Sequence, residues 1–181
     1  FIQQAAYLDN GRLALVGGVV RDSLLSIIDP DFCQKSPDID IVYEGDIYLF
    51  CAGLQDSVGF HRIQELRFHD CFGTANFLFD GFLIDLASAR LETYPFPAEN
   101  PVVVFSSLEK DLSRRDFTVN AMALVFNADG DLDLLDPHSG RQHLISRRLV
   151  FLHDQSVAED PTRVIRAARY VARLRFVLAD Q

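Results

Sequence analysis

The chain has no tryptophan, one methionine, two lysines among its seventeen basic residues, and no apolar run long enough to span a bilayer. The last absence excludes a transmembrane helix, and the start of the sequence lacks the basic-then-apolar pattern of a secretory signal. Cysteine is scarce as well. Cys33, Cys51 and Cys71 are odd in number, widely spaced and without metal-ligand spacing, which excludes a disulfide scaffold and a zinc site. We expect reduced core thiols and a cytoplasmic setting. Positive charge is short overall: the net charge is −9, which excludes a generic nucleic-acid coat. It is unevenly spread, however. From Arg141 to Arg175 there are eight arginines against Asp154, Glu159 and Asp160, a local +5 that leaves −14 elsewhere. A basic end on an acidic protein suits one RNA-facing surface, and a solvated helix face accounts for it nearly as well.

What is present suits one folded domain: 181 residues, 49% hydrophobic and 24% charged, with fifteen phenylalanines that predict a Phe-rich core. The most informative stretch runs from Leu13 to Tyr43. Leu13–Val16 reads as a short buried strand. Gly17-Gly18 ends it with backbone able to turn tightly and approach a ligand. Val19 to Ile28 has helical apolar spacing, and Asp29 to Pro37 is a polar loop. In Pro37-Asp38-Ile39-Asp40-Ile41-Val42 the two carboxylates are two apart, which predicts that both project from one face of a strand. Adjacent like charges are costly without a cation between them, and oxygens on a rigid strand suit Mg²⁺. A glycine turn beside a two-carboxylate metal site is the equipment of phosphoryl or nucleotidyl transfer.

Elsewhere the spacing predicts a lead-in helix over Phe1–Asn10 and a helix capped by Asp46 with Ile47, Phe50, Leu54 and Val58 on one face. Strands are expected over Phe60–Leu66 and His69–Phe79. Asp80-Gly81 predicts a two-residue hairpin that sets Phe79 against Phe82, Leu78 against Leu83 and Asn76 against Asp85. Asp85 then stands alone in an apolar strand and needs a cation, an Arg or hydrogen bonds. A third active-site carboxylate and a salt bridge to Arg90 both satisfy that need. A capping box at Ser106 and Glu109 predicts a helix running to about Phe126. Leu132–Leu135 and Arg147–Leu152 read as strands, Asp136–Gly140 as a loop, and Asp160-Pro161 as the start of a last helix.

On the expected helix, Asp116 and Asn120 share a face with Arg115 beside them. They form a nucleotide clamp for triphosphate and ribose, or an intrahelical charge network. Asp160 and Arg163 lie one turn apart, an acceptor and a donor able to address a base edge, with Asp160 also a helix cap. Arg166 and Arg173 continue that face, where they track RNA phosphates or are simply solvated. His61, His69, His138, His143 and His153 are scattered, and none is given a catalytic role.

These segments resemble, in order, the signatures of class II tRNA nucleotidyltransferases (CCA-adding enzymes) and bacterial poly(A) polymerases. They are Gly17-Gly18…Arg21-Asp22, Asp38-x-Asp40, Asp85…Arg90, Arg114-Arg115-Asp116…Asn120, Asp136-Pro137…Gly140 and Glu159-Asp160…Arg163. Two departures stand out. Arg141-Gln142 replaces the Asp-Leu common after Gly140, and the chain stops at Gln181, inside what that family continues as neck, body and tail. It resembles a head domain cut from a longer protein.

The resemblance implies an α+β fold with a mixed, mostly antiparallel sheet and packed helices, residues 1–145 forming the head and 146–181 the start of a helical neck. It implies addition of C and/or A from CTP and ATP to the 3′ end of tRNA, with release of pyrophosphate. Asp38 and Asp40 would hold Mg²⁺, with Asp85 as a further catalytic carboxylate. Gly17, Gly18, Arg21, Arg115, Asp116, Asn120, Asp160 and Arg163 would bind nucleotide, and Arg166 and Arg173 RNA. A poly(A) polymerase, a CC-only or A-only transferase, and an inactive RNA-binding module are the alternatives.

Overall fold

The structure is a computed structural model that describes residues 11–32 and 38–179. The expected lead-in helix, and Cys33 with the end of the polar loop, lie outside those residues. The framework is a seven-stranded sheet in the order β3-β4-β5-β2-β1-β8-β9. Its strands are β1 (Arg12–Val16), β2 (Ile39–Glu44), β3 (Ile63–His69), β4 (Thr74–Phe79), β5 (Phe82–Ser88), β8 (Ala123–Phe126) and β9 (Leu132–Leu135). Only β2 and β5 pair in parallel within it, so the sheet is mixed and mostly antiparallel as expected. A short ribbon, β6 (Arg90–Thr93) with β7 (Val102–Phe105), stands beside it.

The Asp80-Gly81 hairpin forms with the predicted register, Phe79 against Phe82 and Asn76 against Asp85. Both turn residues adopt positive φ, 48° and 85°, which is the twist a tight hairpin needs. Helix α1 (Gly18–Ile28) follows β1, and α2 (Ile47–Val58) follows β2. Asp46 caps α2 by accepting from the Tyr48 and Leu49 amides, a contribution of about 1 kcal/mol. The apolar face of α2, with Phe50, Cys51 and Leu54, packs on Ile41, Phe77, Ile84 and Leu86 of the sheet. Cys51 is a free buried thiol pushed up to about 12 by that burial, hence inert, as expected of a core thiol.

The core is less phenylalanine-rich than composition predicts. Phe50, Phe77, Phe117 and Phe176 are buried, whereas Phe60, Phe68, Phe72, Phe82, Phe96 and Phe105 are exposed, and aliphatic residues fill most of the interior.

Three local expectations are corrected. The helix after the β6–β7 ribbon, α3 (Leu108–Ser113), is capped by Ser107 and ends well before Phe126. Past Arg114, Asp116 accepts the Phe117 amide at 2.8 Å, a local bond that competes with helix continuation. One 3₁₀ turn (Thr118–Asn120) follows, and the chain then enters β8 against β1. A short helix α4 (Gly140–Ile145), not expected from the sequence, follows the Asp136–Gly140 loop, its first amides held by the Asp136 carboxylate. The expected strand over Arg147–Leu152 shrinks to β10 (Arg148–Leu149), paired with β11 (Val177–Leu178). A single turn α5 (Ser156–Glu159) then leads to α6 (Thr162–Leu174). Among the described residues no helix is long and apolar enough to cross a membrane.

Candidate active site

The end of β1 fixes the centre of the site. Gly17 has φ +69°, and a Cβ placed there would lie 3.1 Å from Asp40 Oδ2 and 3.4 Å from Arg115 Nη1. Glycine therefore lets the turn pass between a carboxylate and a guanidinium brought from distant parts of the chain. Helix α1 starts immediately after it with no capping side chain, so its first amides face outward.

Asp40 lies within β2 and Asp85 opposite it on β5, so both project from one face of the sheet. Spacing predicted that Asp38 would share β2, and it does not. It precedes β2 in an exposed bend, yet its charge reaches both others. Burial raises the Asp40 carboxyl above its ordinary range. Arg115 opposes this, Asp85 and Asp38 reinforce it, and Arg21 opposes it weakly. Asp85 is raised by burial and by Asp38, with His69 acting against. The Arg90 salt bridge weighed for Asp85 is absent: Arg90 pairs with Glu92 at 2.9 Å, and no described cation pairs with Asp85.

A group of carboxylates held in the charged form only at a cost suits a hard divalent cation. Among the described residues no three His, Cys, Asp or Glu side chains close a cage around an ion. A small hard cation bound there would take most of its oxygens from water and substrate.

Arg115 is the hinge of the site. It borders a cavity of about 350 Å³ floored by Asp40 and Asp85, and a second of about 320 Å³ beneath the start of α6. Its Nη2 donates to Asp111 at 2.9 Å, while its buried Nε has no hydrogen-bond partner among the described residues. Asp111 is fully buried and pairs with both Arg114 and Arg115. Burial alone would raise that carboxyl, but Arg115 and Arg114 outweigh it and hold it below its ordinary value. The sequence reading overlooked Asp111, although its spacing of three and four to two arginines is a visible signal.

The second cavity holds Arg114, Arg115, Asp116, Asp160, Arg163 and Arg166, with Glu92 and Tyr94 on its wall. Asp160 accepts from the Thr162 amide at 3.0 Å, the capping bond expected of it, and its other oxygen lies 3.8 Å from Arg163 Nε. Arg163 is buried and oriented by Ser156 Oγ at 2.6 Å and the Arg114 carbonyl at 3.0 Å. The acceptor and donor foreseen for a base edge thus stand side by side at the mouth of a polar cavity.

Arg21 and Asn120 do not line it. They belong to a buried chain of polar contacts in which Arg21 donates to Asp22 at 2.7 Å and to Asn120 at 2.6 Å. Asn120 in turn donates to Asp116 at 2.9 Å. Helix α6 completes the chain, since Arg166 donates to Asp116 at 2.7 Å and Arg173 to Asp22 at 3.2 Å. Tyr170 of α6 lies under the Arg21 guanidinium, 5.0 Å from it. Arg166 and Arg173, foreseen as phosphate contacts, are thus engaged with Asp116 and Asp22. The network arises without the helix that spacing predicted between Asp116 and Asn120, because a 3₁₀ turn brings the two together instead.

Comparison with known proteins bears on this arrangement. The family described as the poly A polymerase head domain matches residues 13–150. The A-adding tRNA nucleotidyltransferase of Geobacter sulfurreducens is 42% identical over 165 residues, covering 91% of this chain and 18% of its own length. The CC-adding tRNA nucleotidyltransferase of Deinococcus radiodurans is 43% identical over 169 residues, covering 90% of this chain and 41% of its own length. A solved structure of a CCA-adding enzyme in an apo form superposes with a TM-score of 0.86 at 36% identity, covering 99% of this chain and 40% of that one. The chain thus spans less than half the length of each of these relatives. On the family match, the shared fold and the order of its site segments, the chain belongs to the poly A polymerase head-domain family of the class II tRNA nucleotidyltransferases.

Proposed function

We propose that the protein containing this chain adds C and/or A residues from CTP and ATP to the 3′ end of tRNA, releasing pyrophosphate. The observation that carries the reading is Arg115. Its guanidinium-bearing side chain borders both the carboxylate-floored cavity and the cavity holding Asp160 and Arg163. A triphosphate lying along the part of Arg115 that borders the cavities would leave its base against Asp160 and Arg163 and put its α-phosphorus over Asp40.

In this reading Gly17 and Gly18 let the phosphates approach the backbone at the start of α1. Arg21, Asp116 and Asn120 act through the buried network, and the open side of Asp116 faces the ribose. Asp38 and Asp40 would hold Mg²⁺, which when bound lowers the pKa of the attacking hydroxyl and offsets charge on the phosphate. Asp85 steadies the same site from the neighbouring strand. Asp160 accepts from and Arg163 donates to the edge of the incoming base, so that a wrong base leaves buried groups unpaired. Residues 1–145 form the head and 146–181 the beginning of a nucleotide-selecting neck, riveted to the head by Arg166 and Arg173. RNA contact falls to the exposed part of Arg166, and the setting is cytoplasmic.

Incorporation of labelled CTP and ATP into tRNA lacking its 3′ end, by the full-length protein with magnesium, tests the proposal. The expected result is one to three added residues of C and A. A long A tail would favour the poly(A) polymerase reading, and magnesium-dependent nucleotide binding without incorporation would favour an inactive module.

A further inference from the structure

The carboxylate-floored cavity carries polar side chains for which the transfer step as described has no use. Strands β3, β4, β5 and β2 align Arg67, Asn76, Asp85 and Asp40 in one row, and His69 pairs with Thr74 on the same face. Thr74, Asn76 and His69 line the cavity together with Asp40 and Asp85. The side chains of Asn76 and His69 make no hydrogen bond to another described residue. Arg115 borders this cavity on the nucleotide side, and His69 on the side of the edge strand β3.

Direction of attack decides what this end receives. In phosphoryl transfer the attacking and leaving oxygens stand roughly in line across the phosphorus. With the leaving phosphates along Arg115, the attacking hydroxyl arrives over β4 and β5. An RNA end carries a 2′-hydroxyl beside the attacking 3′-hydroxyl, and that group both donates and accepts. The Asn76 amide also offers a donor and an acceptor, and it lies one strand beyond Asp85. Resting on the nucleotidyl-transfer reading above, we infer that Asn76 binds the 2′-hydroxyl of the acceptor's terminal ribose. The cavity over β4 and β5 is thereby an acceptor subsite that selects RNA ends over DNA ends.

The test pairs a protein change with a substrate change, in the full-length protein with magnesium. Acceptor stems ending in a ribose or a 2′-deoxyribose are compared with the unaltered protein, Asn76→Ala and Asn76→Thr. A lost hydrogen bond corresponds to roughly a three- to tenfold change. The unaltered protein is expected to show that rise in KM for the deoxy end. Asn76→Ala should show the same rise on the ribose end and no further rise on the deoxy end, with KM for CTP and ATP unchanged. Asn76→Thr retains a donor–acceptor hydroxyl on a strand-favouring residue and should recover part of the preference. It also carries the test should Asn76→Ala lose nucleotide binding. Equal preference in all three proteins, or penalties that multiply on the deoxy end, would overturn the assignment to Asn76. Failure of the unaltered protein to extend either end would overturn the nucleotidyl-transfer reading itself.

Discussion

Asp40 and Asp111 both feel the charge of Arg115, and the fold treats them in opposite ways. Asp111 is fully buried yet held below its ordinary value by two arginines in contact with it. Asp40 is less buried yet raised, because burial disfavours its charge, Asp85 and Asp38 add to that, and Arg115 opposes it without touching it. Partnership therefore separates the two more than depth does. A carboxylate whose cations are supplied by the chain is part of the framework, whereas one placed among its like is held ready for a cation from outside.

Measurements can break this contrast, beginning with the largest effect. Asp40→Ala should lower incorporation by about a thousandfold in the full-length protein, the scale of losing charge stabilisation at the reacting phosphate. Its melting temperature should hold or rise, because a like charge is removed. A fall in stability as large as the fall in rate would erase the distinction.

Asp111→Ala should do the reverse, costing about 3 kcal/mol of unfolding free energy by leaving two arginines without their buried partner. Acid should reveal the same pair. Asp111 titrates lower in the folded than in the unfolded chain, so its stabilisation is complete above the ordinary aspartate value. It is lost as pH falls through the lowered one. Asp40 is raised, so protonation as pH falls through its elevated value relieves repulsion instead. Urea unfolding across that range should therefore show less acid sensitivity in Asp111→Asn than in the unaltered chain, and more in Asp40→Asn.

Two smaller effects sharpen the comparison. Asp85→Asn should lower turnover by about tenfold with little change in stability, being a carboxylate beside the reacting atoms without an ion-pair partner. Asp160→Asn keeps the cap and should alter unfolding by only a few tenths of a kcal/mol, since Asp and Asn cap comparably. Misincorporation of UTP or GTP should nevertheless rise, because an acceptor becomes a mixed donor and acceptor. Unchanged base choice would reduce Asp160 to its cap.

The central β-α-β unit, the Asp80-Gly81 hairpin and the Asp46 cap were legible in the sequence because each rests on local chemistry: alternation, a φ-permissive turn, a side chain bonding its own helix. The region from Ser113 to Phe126 was not. Its periodicity is helical, but pairing of Ala123–Val125 with Ala14–Val16 overrides local preference. The site was read in the same mixed way. Asp40 and Asp85 face one cavity and Asp160 stands beside Arg163 at another, whereas Arg115 lies past the end of the helix expected to carry it and Arg21 and Asn120 are buried together. A contact between residues ninety-nine apart leaves no mark in spacing.

The position of β1 has a consequence for how the chain acquires its shape. This strand lies inside the sheet between β2 and β8, yet those two neighbours are made at very different times. Leu15 meets Ile41 once α1 and its following loop have been made, but meets Leu124 only much later in the chain. Closing so long a loop is slow compared with forming hairpins. Until β8 arrives, one side of β1 is an open apolar edge, the kind of surface on which other chains can template. The same late arrival brings in the segment carrying Arg115 and Asp116. A nascent chain therefore holds Asp40 and Asp85 before it holds Arg115, and the strand that covers the open edge of β1 arrives just behind that arginine.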